Sequence, residues 1–150
     1  MRYRPKAVLE ESGGIRLKPR QTFSGYYKGS FSPDGSLLAL LYRDHIDLVD
    51  ISSGARSVRL EIEHTDFEGV TFSPDGRSFA TKYVTAIGST NQIEKLTLWD
   101  TATGIEVRTL ASGRPGLAGV DNLSFSSDGR YIASHAAGVG RCGRWRAGLR

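Results

Sequence analysis

The chain has 150 residues, of which 39% are hydrophobic and 24% are charged, which is ordinary for a soluble globular domain and argues against disorder. No apolar run approaches the roughly 20 residues of a membrane-spanning helix, and the first residues lack the apolar stretch of a signal peptide. The net charge of +4 comes from the two ends, because residues 21–140 carry ten basic and fourteen acidic side chains. The sequence therefore predicts a cytoplasmic protein with no membrane partner and no specific nucleic-acid partner.

The first predicted element is a hairpin at residues 6–20. In "VLEESGG", Glu10 stands four residues before Gly14, and "IRLKP" follows as a returning strand. The same spacing of an acidic residue and a glycine returns in "LVDISSG" and "LWDTATG", which end at Gly54 and Gly104. Short apolar and β-branched stretches flank each of these turns, so each is predicted as strand, turn, strand.

A second kind of hairpin alternates with the first. "SFSPDG", "TFSPDG" and "SFSSDG" have the residue order of a type I turn, with Ser first, Pro or Ser next, then Asp, then Gly. Strand-like stretches lead into and out of each copy. The repetition predicts a structural role for the turn residues Asp34, Gly35, Asp75, Gly76, Asp128 and Gly129.

The spacing of the two hairpins indicates a true repeat. From the acidic residue of one hairpin to the Phe of the next there are 21, 22 and 25 residues. The turn residues Asp34 and Asp75 lie 41 positions apart, whereas Asp75 and Asp128 lie 53 apart, mainly because of a local insertion in "VTAIGSTNQIEK". A period of about 40 residues with four strands per unit is typical of a β-propeller blade.

The sequence resembles the WD-repeat β-propeller family in its "FSPDG" turns, in "LTLWD" and in "HTDFEGVTFSPDG". The resemblance implies an all-β fold, an incomplete β-propeller of four-stranded antiparallel blades. Members of that family form a buried hydrogen-bonded set from a His, a Ser or Thr, an Asp and a Trp. The resemblance implies that His64, Thr81 and Trp99 fill three of these structural roles, and the insertion leaves no counterpart for the Asp.

The predicted strands amount to three blades, where closed rings use about four to eight. The chain is therefore expected to be a fragment of a larger propeller, or to complete its ring by pairing with another copy. After Ser134 the sequence lacks a clear third strand, so we expect an abnormal C-terminal segment that results from truncation or a shifted reading frame. The alternative is a degenerate strand at Trp145. The predicted units are a half unit at 6–20, blades near 21–62 and 63–110, a half blade at 119–134, and an irregular basic Gly/Arg-rich tail at 135–150.

The resemblance implies that a protein or peptide partner binds to two kinds of loop in each blade. One connects the second strand to the third, and the other leads into the first strand. Loops on a rigid scaffold commonly carry specificity. The loops at this face are Arg43–His45, Thr85–Gln92, His64–Asp66 and Gly113–Gly119. The candidate partner-binding residues are Arg43, His45, Asp66, Asn91 and Gln92.

The sequence predicts no enzyme, no cofactor and no metal site. The three histidines lie in different units without ligands at metal-binding spacing, and Cys142 is the single cysteine. "GVGRCG" fits a dinucleotide fingerprint but lacks the acidic residue about 20 positions later. The predicted function is a non-catalytic protein-interaction scaffold. The alternative is the propeller portion of an enzyme, such as a serine peptidase, whose catalytic domain this sequence does not contain.

Overall fold

The computed structural model describes residues 6–10, 19–61, 65–87, 91–113, 123–134 and 145–146. Every regular element in these residues is a β-strand, and none of them forms a helix long and apolar enough to cross a membrane. In chain order the strands are β1 (Lys6–Glu10), β2 (Pro19–Ser24), β3 (Lys28–Phe31), β4 (Leu37–Leu41), β5 (His45–Asp50), β6 (Arg56–Glu61), β7 (Thr65–Phe72), β8 (Ser78–Ile87), β9 (Asn91–Asp100), β10 (Glu106–Gly113), β11 (Leu123–Phe125), β12 (Tyr131–Ser134) and β13 (Trp145–Arg146).

These strands form four antiparallel sheets in which sequence neighbours pair. The first sheet contains β1 and β2, the second β3 to β6, the third β7 to β10, and the fourth β11 to β13. Two complete four-stranded antiparallel sheets flanked by two partial ones confirm the predicted fold class, an incomplete β-propeller. The predicted unit boundaries stay a prediction.

The sheets stack face to face, and β4 shows why. All but one of the five residues of "LLALL" are buried, because the strand packs on both faces and has no solvent side. Leu38 and Leu40 pack toward the first sheet with Phe23, whereas Ala39 and Leu41 pack with aromatic side chains of the third sheet. Alternate residues of one strand thus hold two neighbouring sheets together.

The SPDG turns have one hydrogen-bonding pattern. In the first of them, the Gly35 amide donates to the Ser32 carbonyl at 2.9 Å, as in a type I turn. The Ser32 hydroxyl donates to the Asp34 carboxylate at 2.6 Å and accepts from the Leu37 amide at 2.9 Å. The other two turns repeat these contacts with Ser73 and Ser126. The repeated letters therefore encode a repeated local structure.

The insertion in the second unit differs from its predicted form. The stretch Thr85–Gln92 is predicted as a loop, but β8 and β9 continue through it, with Thr85 opposite Ile93 and Ile87 opposite Asn91. β-Branched residues along both strands favour this extension. The insertion lengthens the hairpin, and only residues 88–90 at its tip lie outside the described residues.

Two strands near the ends bear on the prediction. Of the returning strand predicted at "IRLKP", only Pro19 lies among the described residues, and it begins β2, which continues to Ser24. Within the tail predicted to be irregular, Trp145 pairs with Ile132 in the short strand β13. This is the register in which Trp99 pairs with Phe79 in the third sheet.

Candidate protein-binding site

The antiparallel sheets have two ends with different residues. The SPDG turns lie at one end, together with the turns after β5 and β9. The opposite end carries the β2–β3 connection and the β4–β5 turn, which bring together Tyr26, Tyr27 and Tyr42; we call it the tyrosine end. It is the face that the family resemblance marks for partner binding.

A cavity of about 710 Å³ lies at the tyrosine end, within the size range of small-ligand sites. Aromatic rings dominate its lining, and Arg43 and Asp44 add one positive and one negative group. Its lining residues are Gly25, Tyr26, Tyr27, Tyr42, Arg43, Asp44 and Phe67. We call this cavity the tyrosine pocket.

Two short connections position these side chains. The Tyr42 amide donates to the His45 carbonyl at 2.9 Å and closes the turn that presents Arg43 and Asp44. Gly25, with φ of 88°, reverses the chain between β2 and β3 in a conformation that other residues rarely adopt. The Phe67 amide lies 3.4 Å from the Arg43 carbonyl, so the first strand of the third sheet supports the same turn.

An ion-paired network on β5 and β6 lies next to the β4–β5 turn. Asp47 is buried on β5 and accepts two hydrogen bonds from the Arg59 guanidinium, at 2.8 and 2.9 Å. Such a bidentate pair fixes the planes of both groups. His45 lies between this pair and the turn, with Nε2 at 3.7 Å from the Asp47 carboxylate and Nδ1 at 2.7 Å from the Asp44 carboxylate. The imidazole also stacks on Tyr42, with ring centroids 4.2 Å apart.

These contacts shift the acidities of two pocket residues. The hydrogen bond from His45 holds the pKa of the Asp44 carboxyl below its usual value, so that group stays ionised. Burial, followed by the nearby Asp47 charge, raises the pKa of the Tyr42 phenol. The pocket therefore presents a neutral phenol beside a fixed negative charge at neutral pH.

The structure brings together part of the predicted partner-binding set. Arg43 and Asp44 are exposed in the turn, and His45 is half-buried as the first residue of β5. Asp66 lies in β7, next to Phe67, and is therefore in a strand where the sequence predicted a loop. Asn91 and Gln92 also lie in a strand, at the start of β9.

The predicted hairpin residues are displaced from the pocket along their strands. Gln92 pairs with Ala86, two residues beyond Val84, which pairs with Asp66. At about 3.3 Å per residue, Gln92 lies roughly 7 Å past the level of Asp66. Of the loop predicted at Gly113–Gly119, only Gly113 lies among the described residues, at the end of β10.

The predicted structural set is partly visible. The Trp99 indole Nε1 donates to the Thr81 hydroxyl at 2.7 Å, and both side chains are buried in the third sheet. His64 lies outside the described residues. The turn residues Asp34, Asp75 and Asp128 each accept hydrogen bonds from their turn serine, and the following glycines have φ near 70°.

Sequence reasoning missed the aromatic residues of the pocket. Tyr26 precedes Phe31 by five residues, as Phe67 precedes Phe72, and Tyr42 follows its turn aspartate by eight residues, as Tyr83 does. Aligning the two units would therefore have shown recurring aromatic positions. The ring centroids of Phe67 and Tyr83 lie 5.6 Å apart in the core, whereas Tyr26 and Tyr42 are partly exposed.

Comparison with known proteins supports the fold and goes little further. No family model matches the chain. It is 31% identical over 110 residues to an uncharacterized WD repeat-containing protein of Synechocystis sp., an alignment that covers 73% of this chain and 28% of that relative. Among solved structures, hydrazine synthase of Kuenenia stuttgartiensis is similar, with a TM-score of 0.55 and 17% identity over 83% of this chain and 40% of that one. The chain spans less than half of either protein, and the likeness is one of propeller architecture.

Proposed function

We propose that the chain is a non-catalytic protein-binding scaffold of WD-repeat type and that the tyrosine pocket is its partner-binding site. The observation that carries the proposal is the pocket itself, in which three tyrosines and two opposite charges surround a cavity of about 710 Å³. Tyrosine and arginine are enriched at binding hot spots because they combine apolar area with a polar tip.

The surroundings of the pocket support this role. The β4–β5 turn connects two strands that are buried on both faces. The Asp47–Arg59 ion pair links β5 to β6 close to this turn. Such a scaffold presents the turn without a large cost in conformational entropy on binding. The WD repeat-containing relative is consistent with the same class of function.

Selection of random linear peptides on the immobilised chain tests the proposal. The affinities of selected peptides are then measured on the wild type and on Tyr27→Ala and Arg43→Ala, which alter exposed residues of the lining. We expect each variant to weaken binding by roughly tenfold or more. Ser52→Ala, in an exposed turn at the SPDG end, is the control and should leave the affinity unchanged. Peptides that bind all variants equally would contradict the proposed site.

A further inference from the structure

The repeated turns contain a peptide link that is chemically more reactive than its neighbours. In an Asp–Gly pair the glycine amide nitrogen can attack Cγ of the aspartate side chain, because glycine has no side chain to hinder the approach. The attack forms a cyclic imide, and hydrolysis of the imide gives either aspartate again or isoaspartate. The sequence contains three such pairs, Asp34–Gly35, Asp75–Gly76 and Asp128–Gly129.

The reaction needs a protonated carboxyl group that is free to turn toward the glycine nitrogen. The new bond joins the amide nitrogen to Cγ, and the carboxyl OH leaves with the amide hydrogen as water. The hydrolysis that follows returns a water molecule, so the change is an isomerisation without oxidant or reductant. Every hydrogen bond to the ionised carboxylate opposes the first step, because it favours the ionised form and fixes the orientation of the group.

The first two turns are matched around the glycine nitrogen. The Gly35 amide donates to the Ser32 carbonyl and the Gly76 amide to the Ser73 carbonyl, both at 2.9 Å. The two glycines have φ of 71° and 70°. In each turn the serine hydroxyl donates to the aspartate carboxylate at 2.6 Å. A difference in reactivity must therefore come from the other partners of the two carboxylates.

The residue after the glycine differs between these turns. Ser36 donates its amide to Asp34 at 3.0 Å, and its hydroxyl lies 2.9 Å from both carboxylate oxygens. Arg77 has this position in the third sheet, and its amide donates to Asp75 at 3.1 Å, to the oxygen that also accepts from the turn serine. Within the part of the chain that the structure describes, no side chain donates to the second oxygen of Asp75. Side chains therefore hold both oxygens of Asp34 and one of Asp75.

We propose that Asp75–Gly76 is a site of spontaneous isoaspartate formation and that Ser36 protects Asp34–Gly35 from the same reaction. The two turns belong to the two complete sheets and have the same backbone hydrogen bond, so the protection comes from the serine hydroxyl.

The position of Asp75 gives the modification a structural consequence. A Cβ on Gly76 would lie 3.7 Å from Pro33, so the turn of the third sheet lies against that of the second. Isoaspartate adds one carbon to the main chain within this turn. The hydrogen bond from the Gly76 amide to the Ser73 carbonyl then loses its type I geometry. The modification therefore loosens the contact between the second and third sheets.

Incubation of the full chain in water labelled with heavy oxygen tests the proposal. Each passage through the imide leaves one labelled oxygen in the residue, whether aspartate or isoaspartate results. Trypsin then separates the three Asp–Gly pairs into different peptides, whose masses give the label at each site. We expect Asp75 to take up label at least about tenfold faster than Asp34, a factor that one hydrogen bond to a charged group can supply.

Two outcomes of this experiment would overturn the proposal. One is an equal rate of labelling at Asp34 and Asp75. The other is an unlabelled Asp75 after the time in which a synthetic peptide of sequence TFSPDGRS becomes fully labelled.

Exchange of the residues after the two glycines tests the cause of the difference. Ser36→Arg removes the hydroxyl that lies against Asp34 and should raise its labelling to the rate of Asp75. Arg77→Ser supplies a hydroxyl at the matching position and should slow the labelling of Asp75 toward the rate of Asp34. Unchanged rates in both variants would show that Ser36 does not protect its turn.

Two controls separate a local effect from general unfolding. Asp128 is the internal reference, because neither exchange alters its turn and its carboxylate accepts from a serine hydroxyl and an arginine amide as Asp75 does. Ser52→Ala removes a hydroxyl that donates to Asp50 at the same end of the sheets, and it should change none of the three rates. An effect of Ser36→Arg that is equally large at Asp128 would overturn the protective role of Ser36.

Discussion

The second and third sheets share their turns and strand order, yet their interiors differ. Where β4 of the second sheet has Leu40 and Leu41, β8 of the third has Thr81 and Lys82, and all four side chains are buried. At these two positions the second sheet has aliphatic packing, whereas the third has buried polar side chains. The comparison indicates that the same turn chemistry is compatible with different strand lengths and different interiors.

Lys82 makes the contrast clearest. Its side chain is 3% exposed, and its ammonium lies 3.2 Å from the Glu68 carboxylate on β7 and 3.1 Å from that of Glu94 on β9. Three neighbouring strands therefore share one ion cluster. Because removal of one partner leaves charges without compensation, such a cluster is more sensitive to a single substitution than an aliphatic core.

The largest expected effect is loss of this cluster. Lys82→Met should lower the free energy of unfolding by about 4 kcal/mol, because it removes the buried ammonium that lies between the Glu68 and Glu94 carboxylates. The equivalent change in the second sheet, Leu41→Met, conserves volume and should cost less than about 1.5 kcal/mol. Urea denaturation of both variants measures the difference. Equal losses would show that the third sheet does not depend on its ion cluster.

The contact between the two sheets should be nearly as sensitive. Gly104 has φ of 69°, and a Cβ there would lie 2.5 Å from Val58 of the second sheet. Gly104→Ala should therefore cost about 3 kcal/mol, from left-handed backbone strain and overpacking together. Gly35→Ala has the same backbone strain but open space around it, and should cost about half as much. Thermal unfolding distinguishes the two, and equal shifts would show that the contact with Val58 relaxes without cost.

The buried hydrogen bond of the third sheet should contribute less. Trp99→Phe removes the indole donor and leaves the Thr81 hydroxyl buried without that partner, at a cost of about 2 kcal/mol. Thr81→Val in the Trp99→Phe background should recover part of the loss, because both polar groups are then gone. A double-mutant cycle measures this coupling by urea denaturation, and strictly additive losses would mean that the two side chains do not act together.

The sequence predicted what local chemistry determines. The serine, aspartate and glycine of each turn need only one another, so the turns and the fold class were predictable. The burial of Lys82 was not, because it depends on Glu68 and Glu94 lying on two other strands in matching register. The tyrosine pocket likewise forms from three separate chain segments: the spacing shows that the aromatic positions recur, but not that they meet around a cavity.

The SPDG turns are the feature that both sheets share, and they should respond to acid alike. The hydrogen bond from the Ser32 hydroxyl, followed by those from Ser36, lowers the pKa of the Asp34 carboxyl from 3.8 to about 2. A carboxyl with a lowered pKa in the folded state contributes stability above its unfolded pKa and loses it as the pH falls through the folded one.

The stability difference between the wild type and Asp34→Asn should therefore be constant above about pH 4 and should shrink as the pH falls toward 2. Asp75→Asn in the third sheet should follow the same trend, because the Ser73 hydroxyl lowers the pKa of Asp75 through the same contact. Urea midpoints at a series of pH values provide the measurement for both pairs. A difference that grows on acidification would contradict the assignment. A response confined to Asp34 would show that the Ser36 hydroxyl supplies the stabilisation, because the Asp75 turn has Arg77 at that position and only its amide donates to the carboxylate.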